Sequence, residues 1–455
     1  MSLLDALKIG SSAIRAANAG IDASANNVAN ALTPGYGRRV ATCVSANSVN
    51  RAGLWVGGGV VVTGFQRTTD GLLGARQVSA AGASAASTAY RNALQSTEIW
   101  FDETQVNGPT LATAAFFEAL DASTVDPADI GLRTAVVNTA ADLGAKLATT
   151  ALGVTAGLDA IEADLAASLP QVNDLLDQIG ALNLAVMQAG GINSALDLVD
   201  ARDTAMRSLA ELTGAVGSLE ADGSLSVYLG GHCAVSGGCP RTASLSDASP
   251  PGVRLSVDGG TVDITANLGG SWSGLLAAHA EQTTWLTDLD AFAVQFATAV
   301  NDQLALGFDL NGVAGGPLFT FGTPPSSTLS VVAAVDDDPA LLAFAGSSTA
   351  GPGDGVNLAA LGVMDTAALV DGLPPGDFLA SLTNRVGSEV AAAEIDADSD
   401  FTALADLDAL QLGLSGVDLD EEAAQLVVWQ AAYQAAAQIV TATQESLDAL
   451  FRIVA

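Results

Sequence analysis

Residues 419–455 read LDEEAAQLVVWQAAYQAAAQIVTATQESLDALFRIVA, and their periodicity decides the fold class. Leu419, Leu426, Tyr433, Val440, Leu447 and Val454 recur every seven positions, and Trp429, Ala436, Thr443 and Leu450 fill the position three later. Consecutive heptads with an apolar seam predict one long helix that needs a partner along its length. Asp418 with Glu421 three residues on forms a capping-box arrangement, Glu422 stands in the positive first turn, and Arg452 in the last.

The other end of the chain supplies a partner. Leu7, Ile14, Ile21 and Val28 keep the same spacing, with Gly10, Ala17, Ser24 and Ala31 three positions after each. Bulky residues at one seam position and small ones at the other let a second helix approach closely. The segment reads as a helix over residues 3–31, stopped by Pro34 and Gly35. Each helix is marginal alone, so the two are expected to order on pairing or on assembly. The pattern fits a pair closed within one chain and packing between subunits equally well.

The chain between them predicts a mainly α fold with a small inserted β domain and β-rich outer part. Helical patterns fill 71–212, broken near Asn107-Gly108-Pro109, Asp126-Pro127 and Gly190-Gly191. Strand patterns appear in Ser224–Leu229 and Val253–Val257, and Val-rich short strands in 36–70. Helix resumes from Trp272 to Leu306, a Gly/Pro/Ser-rich stretch covers 307–357, and two last helices are expected at 376–393 and 401–455, with Gly413 to Gly416 as a possible break inside the second. The expected organisation is a terminal coiled-coil and axial region (1–70 and 405–455) and a helical-bundle body (71–212, 271–320 and 358–404). A β domain (213–270) and a loop-rich remnant (321–357) complete it.

Fifty acidic against sixteen basic side chains give a net charge of −34, with Lys8 and Lys146 the only lysines. Such a chain is repelled by nucleic acid and by anionic membrane surfaces, so neither is an expected partner. No uninterrupted apolar run reaches the roughly twenty residues that span a bilayer. With 5% aromatic residues and much alanine, thin, closely packing helix faces are expected in place of one large aromatic core. Asp5 precedes the first positive charge and no apolar stretch follows, so any export would use a route other than a cleaved signal.

Candidate chemistry is sparse. His232, Cys233 and Cys239 fall within eight residues, but only His279 remains as a fourth zinc ligand, so they read as loop or edge-strand residues, with a Cys233–Cys239 disulfide as the intermediate possibility. Asp396, Asp398 and Asp400 alternate like the opening of a calcium loop. Phe401 stands where that loop needs glycine and Leu407 where it needs glutamate, which favours a solvated connection between helices. Asp336-Asp337-Asp338 before Pro339 reads as a turn and helix start, and Gly57-Gly58-Gly59 lacks the Lys-Ser/Thr ending of a phosphate loop. Cys43 and two histidines assemble no nucleophile and base. No catalytic residue, cofactor or metal is expected.

Ala25-Asn26-Asn27-Val28-Ala29-Asn30-Ala31-Leu32-Thr33-Pro34-Gly35-Tyr36 resembles the N-terminal signature of flagellar rod, hook and hook-associated proteins, departing at Leu32 and at Gly37. Ser415–Ala424, with Asp418, Glu421 and Glu422, followed by Gln430, Ala432–Ala435 and Ile439, is similar to the C-terminus of the hook-associated protein 1 family; hook and rod proteins differ at the paired glutamates. Asp197–Asp203, Gly269–Leu276, Val300-Asn301 and Gly307–Gly312 agree with that family. After Phe319 the chain departs from it, which implies that an outer domain of larger members is reduced or absent here. The resemblance implies a non-enzymatic structural subunit at the extracellular hook-filament junction, exported without a cleaved signal peptide. It also implies as partners copies of itself, the hook protein, a second junction protein adjoining the filament, and a cytoplasmic export chaperone at the C-terminal helix. The alternatives are a rod or hook subunit, or a flagellum-borne hydrolase or adhesin, for which 214–270 is a short insert.

Overall fold

The computed structural model describes residues 2–51, 54–102, 108–257 and 259–454. The chain opens with α1 (Leu3–Asn30), started by a full capping box in which Ser2 accepts from Asp5 N and Asp5 accepts from Ser2 N. It then reverses into an antiparallel ribbon of β1 (Arg39–Ser45) with β4 (Val60–Arg67), extended by the hairpin of β2 (Val49–Arg51) and β3 (Leu54–Val56).

The body follows as α2 (Gly71–Glu98), α3 (Pro109–Ser123), α4 (Ile130–Gln188) and α5 (Leu196–Thr213), rejoined later by α6 (Gly270–Ala305) and α8 (Pro375–Ser415). Asp70 caps α2 and Asp129 caps α4, each carboxylate accepting from two free backbone N–H groups. The 59 residues of α4 form one helix with Pro170 inside it, and the row Val136, Leu143, Leu147, Val154, Leu165, Val172 and Leu176 is fully buried along its inner face. The few phenylalanines do gather into an aromatic core: Phe292 stacks on Phe296 at 5.3 Å, and Phe116 and Phe319 meet Phe296 at 5.8 and 5.7 Å. Composition gave their number but not that α3, α6 and the strap after α6 bring them to one place.

Two small antiparallel sheets sit on the C-terminal half of α4. One has β5 (Val216–Leu219), β6 (Leu225–Leu229), β7 (His232–Ser236) and β8 (Cys239–Pro240); the other has β9 (Ala243–Leu245), β10 (Val253–Val257) and β11 (Gly260–Asp263) in the order β11-β10-β9. Two asparagines of α4, Asn183 buried and Asn173 half-buried, pin both to the helix. Asn183 accepts from Leu225 N at 2.8 Å and donates to Leu225 O at 2.9 Å, and Asn173 exchanges the same pair of bonds with Ala243. The β7–β8 turn sets Ser236 opposite Cys239, three residues from Cys233, so the disulfide does not form and all three cysteines are free.

Residues 306–355 form a strap over the N-terminal half of α4, with β12 (Phe319–Thr320) pairing β13 (Ser330–Val331). Arg133 of α4 holds it. Its guanidinium is buried, stacks at 4.4 Å on Phe344, and donates to Pro127 O at 2.7 Å and Leu342 O at 2.6 Å. Burial pushes this group down to about 10. A short helix, α7 (Val356–Val363), closes the strap.

One expected break is absent. α8 runs unbroken from Pro375 to Ser415, so Asp396, Asp398 and Asp400 lie within a helix and not in a connecting loop, and the expected boundary at 404/405 also falls inside it. Ala393 and Ala397, one turn apart, stay buried and carry the packed face through the acidic stretch, while Asp396 and Asp398 point to solvent. The chain turns only at Gly416–Asp418, before the last helix, α9 (Leu419–Val454).

Candidate assembly interface

α1 and α9 pack antiparallel: Gly10 lies against Val440 and Ala436, and Gly20 against the Trp429 indole. A Cβ on Gly20 would stand 2.2 Å from that ring, and one on Gly10 2.8 Å from the Val440 side chain. Trp429 and Val440 are therefore knobs and the two glycines the floors of their holes. The stripe of α1 that faces the partner is the small one, with Gly10, Ala17, Gly20, Ser24 and Asn27 buried. Leu7, Ile14 and Ile21 flank it half-buried, and Val28 is exposed. The period was readable, but with alanine on neighbouring stripes the innermost one is decided by which side chains the partner inserts.

On α9, Glu422, Ala436 and Thr443 are buried, and Leu426, Trp429, Val440 and Leu447 are half-buried. Leu419, Tyr433 and Leu450 are exposed, and the side chain of Val454 lies outside the described residues. The outer side of α9 adds exposed Val427, Val428 and Ile439.

The signature residues form the turn that follows α1. Asn27, 1% exposed, donates to Arg39 O at 2.9 Å and accepts from Arg39 N at 2.9 Å, while the Tyr36 hydroxyl donates to the same Asn27 oxygen at 2.9 Å. One amide thus fastens the returning strand to the helix. Asn30 donates to Asn26 O and Oδ1, and Thr33 donates to Asn30 Oδ1, which finishes the helix end. Pro34 precedes Gly35, whose φ of +77° favours glycine and whose absent Cβ leaves room for Thr204 Oγ1 at 2.4 Å. Replacing Asn27 with alanine leaves Arg39 N and O unpaired in a buried place and is expected to cost about 3 kcal/mol. Thermal unfolding of the purified chain measures it; a Tm within about 0.5 °C of wild type, roughly 0.5 kcal/mol or less for a chain of this length, would show that the amide fastens nothing.

Three arginines absent from the sequence reading tie this turn to the rest. Asp200 on α5 bridges Arg39 at 3.0 Å and Arg67 at 2.6 Å, Arg39 also pairs with Asp197, and Arg67 with Asp203 at 2.8 Å. Burial pulls the Arg67 guanidinium down, but Asp203 and Asp200 outweigh it and leave it raised. Arg38 donates to Glu422 at 2.7 Å and to Glu421 at 2.8 Å, and is likewise held raised against its burial by Glu422 and Glu421. Glu421 thus does not complete the expected capping box; Asp418 alone caps α9, accepting from Asp420 N and Glu421 N. The signal available in sequence was that four of sixteen cations, Arg38, Arg39, Arg51 and Arg67, crowd one short extended segment of an acidic chain.

Among the described residues no group of three or more His, Cys, Asp and Glu is arranged to hold a metal, and no helix is long and apolar enough to cross a membrane.

A family model described as the flagellar hook-associated protein FlgK helical domain matches residues 94–319, and one described as the flagellar basal body rod FlgEFG protein C-terminal matches residues 412–453. The chain is 25% identical over 538 residues to flagellar hook-associated protein 1 of Escherichia coli (strain K12), covering 97% of this chain and 98% of that protein. It is 26% identical over 494 residues to flagellar hook-associated protein 1 of Bacillus subtilis (strain 168), covering 96% and 95%. The flagellar hook junction protein FlgK from Burkholderia pseudomallei shares its fold, with a TM-score of 0.66 at 16% identity, over 76% of this chain and 100% of that one. A matched helical body, a matched C-terminal helix and relatives aligned almost end to end converge on one identity: the chain belongs to the flagellar hook-associated protein 1 family.

Proposed function

We propose that this chain is a structural, non-catalytic subunit of the bacterial flagellum that joins hook to filament at the hook-filament junction. The observation that carries this reading is the α1–α9 pair. Its inner seam is closed by small-to-bulky packing, yet α9 keeps Val427, Val428 and Ile439 exposed on its outer side, as a helix does when further copies or related subunits cover it. Residues 1–70 with 405–455 serve as the axial core, 71–212, 271–320 and 358–404 as the body, 213–270 as the β domain, and 321–357 as the remnant of a reduced outer domain. The partners are copies of itself, the hook protein and a second junction protein adjoining the filament, with a cytoplasmic export chaperone covering α9 before assembly. The chain reaches the extracellular flagellum without a cleaved signal peptide. The names of the relatives and the match at the C-terminal helix support this.

Deleting residues 419–455 is expected to leave a soluble chain that cannot join hook to filament, so that electron microscopy shows hooks without filaments. Normal filaments on such cells would sink the proposal.

A further inference from the structure

α6 and α8 both lie along α2, and toward one end they also meet each other, where Phe292 stacks on Phe378 at 6.2 Å and Arg385 of α8 pairs with Asp288 of α6. Toward the other end they part and leave a mostly apolar groove of about 550 Å3. Its floor includes Ala86 and Tyr90 of α2, and its walls Ala277 of α6 and Asp396 and Asp400 of α8. Gly274 brings α6 directly onto α2, since a Cβ there would stand 2.0 Å from Ala86 O. Apart from Tyr90 the floor carries small side chains, on which another helix can lie close.

The groove is acidic. Glu389, seven residues before Asp396, lies on the same face of α8, and Glu281 stands on α6, accepting from the Trp285 indole at 3.0 Å. Burial raises the Tyr90 hydroxyl above its ordinary value, and Glu389 and Glu281 raise it further. Farther along the same gap Asp288 is matched by Arg385, but Glu281, Glu389, Asp396 and Asp400 make no ion pair among the described residues. Nor do they converge as metal ligands would. A second copy, with the same net charge of −34, is repelled from such a surface, whereas a chain segment carrying cations is drawn to it.

We propose that this groove takes a cationic helix of a different protein, lying between α6 and α8 as the fourth member of a four-helix bundle with α2. Its small side chains rest on Ala86 and Ala277, and its arginines or lysines face Asp396, Asp400 and Glu389. The contact goes beyond the junction reading and does not depend on it.

The test uses the full chain and a fluorescein-labelled, alanine-rich helical peptide with arginines seven positions apart, read by fluorescence anisotropy. The arginine peptide should bind, and the same peptide with glutamates should not. Asp396→Asn with Asp400→Asn should weaken binding about tenfold. Ala277→Trp, which fills the groove from an exposed position, should weaken it at least as much. Asp121→Asn with Asp142→Asn, on exposed parts of α3 and α4, should leave it within about twofold. Equal weakening by the two aspartate pairs would reduce the attraction to net charge and overturn the groove. So would wild-type binding by Ala277→Trp, or no binding of the arginine peptide. In cells, p-benzoylphenylalanine at Ala277 should cross-link to a basic helix of another protein, a product lost with Asp396→Asn and Asp400→Asn. Adducts to a second copy, or none, would overturn the partner. All these outcomes leave the junction reading standing, which the deletion of residues 419–455 tests separately.

Discussion

Gly20→Leu is expected to separate α1 from α9. Even the first carbon of the new side chain would fall 2.2 Å from the Trp429 ring, so the helices must move apart or the indole must leave its hole. Overpacking of this kind costs about 3 kcal/mol, and a helix pair with a seam of alanine, glycine and serine has little reserve to meet it. Circular dichroism should show loss of helix equivalent to much of the two termini, limited proteolysis should cut within residues 3–30 and 419–454, and the cells should be non-motile. The body, whose core lies on α4 and α6, should keep its melting transition. Gly20→Leu combined with Trp429→Ala should regain helix, since the removed indole makes the room the leucine needs. A double variant no better than the single one would show that the knob and hole do not set the pairing.

Asp200→Ala is expected to release the β1–β4 ribbon from α5. Its two oxygens are held by Arg39 and Arg67, and the three side chains are 11%, 9% and 17% exposed. Removing the shared carboxylate leaves two poorly solvated cations side by side, with Asp197 and Asp203 at the edges as their remaining partners. Breaking a buried pair from one side costs about 4 kcal/mol. Hydrogen exchange should quicken in residues 39–45 and 60–67 and stay unchanged in α4. Replacing all three residues by apolar ones of similar volume should recover most of the loss, because the cost lies in the stranded charges and not in the missing bonds. If Asp200→Ala alone costs less than about 1 kcal/mol, the bridge does not hold the joint.

What could be read from the sequence follows the range of each interaction. The 3.5-residue period of α1 and α9 is local, and so are the turn at Pro34-Gly35 and the hairpins of the β domain; all stand out along the chain. Which stripe of α1 faces inward was not local, since Trp429 chooses it from the other end of the molecule. The α8 helix was divided wrongly because three aspartates at alternate positions look like a loop when the burial of Ala393 and Ala397 is unseen. Arg38 and its two glutamates are 383 and 384 residues apart, and Arg39 and Asp200 are 161 apart, separations at which no pattern pairs one charge with another. The family resemblance had marked Asn27, Tyr36, Glu421 and Glu422 without a reason; their side chains in the structure give them one, as the fasteners of the turn.

The long helix α4 has a mechanical consequence. A turning load that enters the β domain at one end reaches the strap at the other through a single ladder of backbone hydrogen bonds about 88 Å long. Pro170 has no N–H to give that ladder and interrupts it at one rung. Two residues earlier, the Ser168 hydroxyl accepts from the Trp272 indole of α6 at 2.8 Å, so a neighbouring strut splints the weak rung. The rung that the proline leaves open is thus braced from the side by a neighbouring helix.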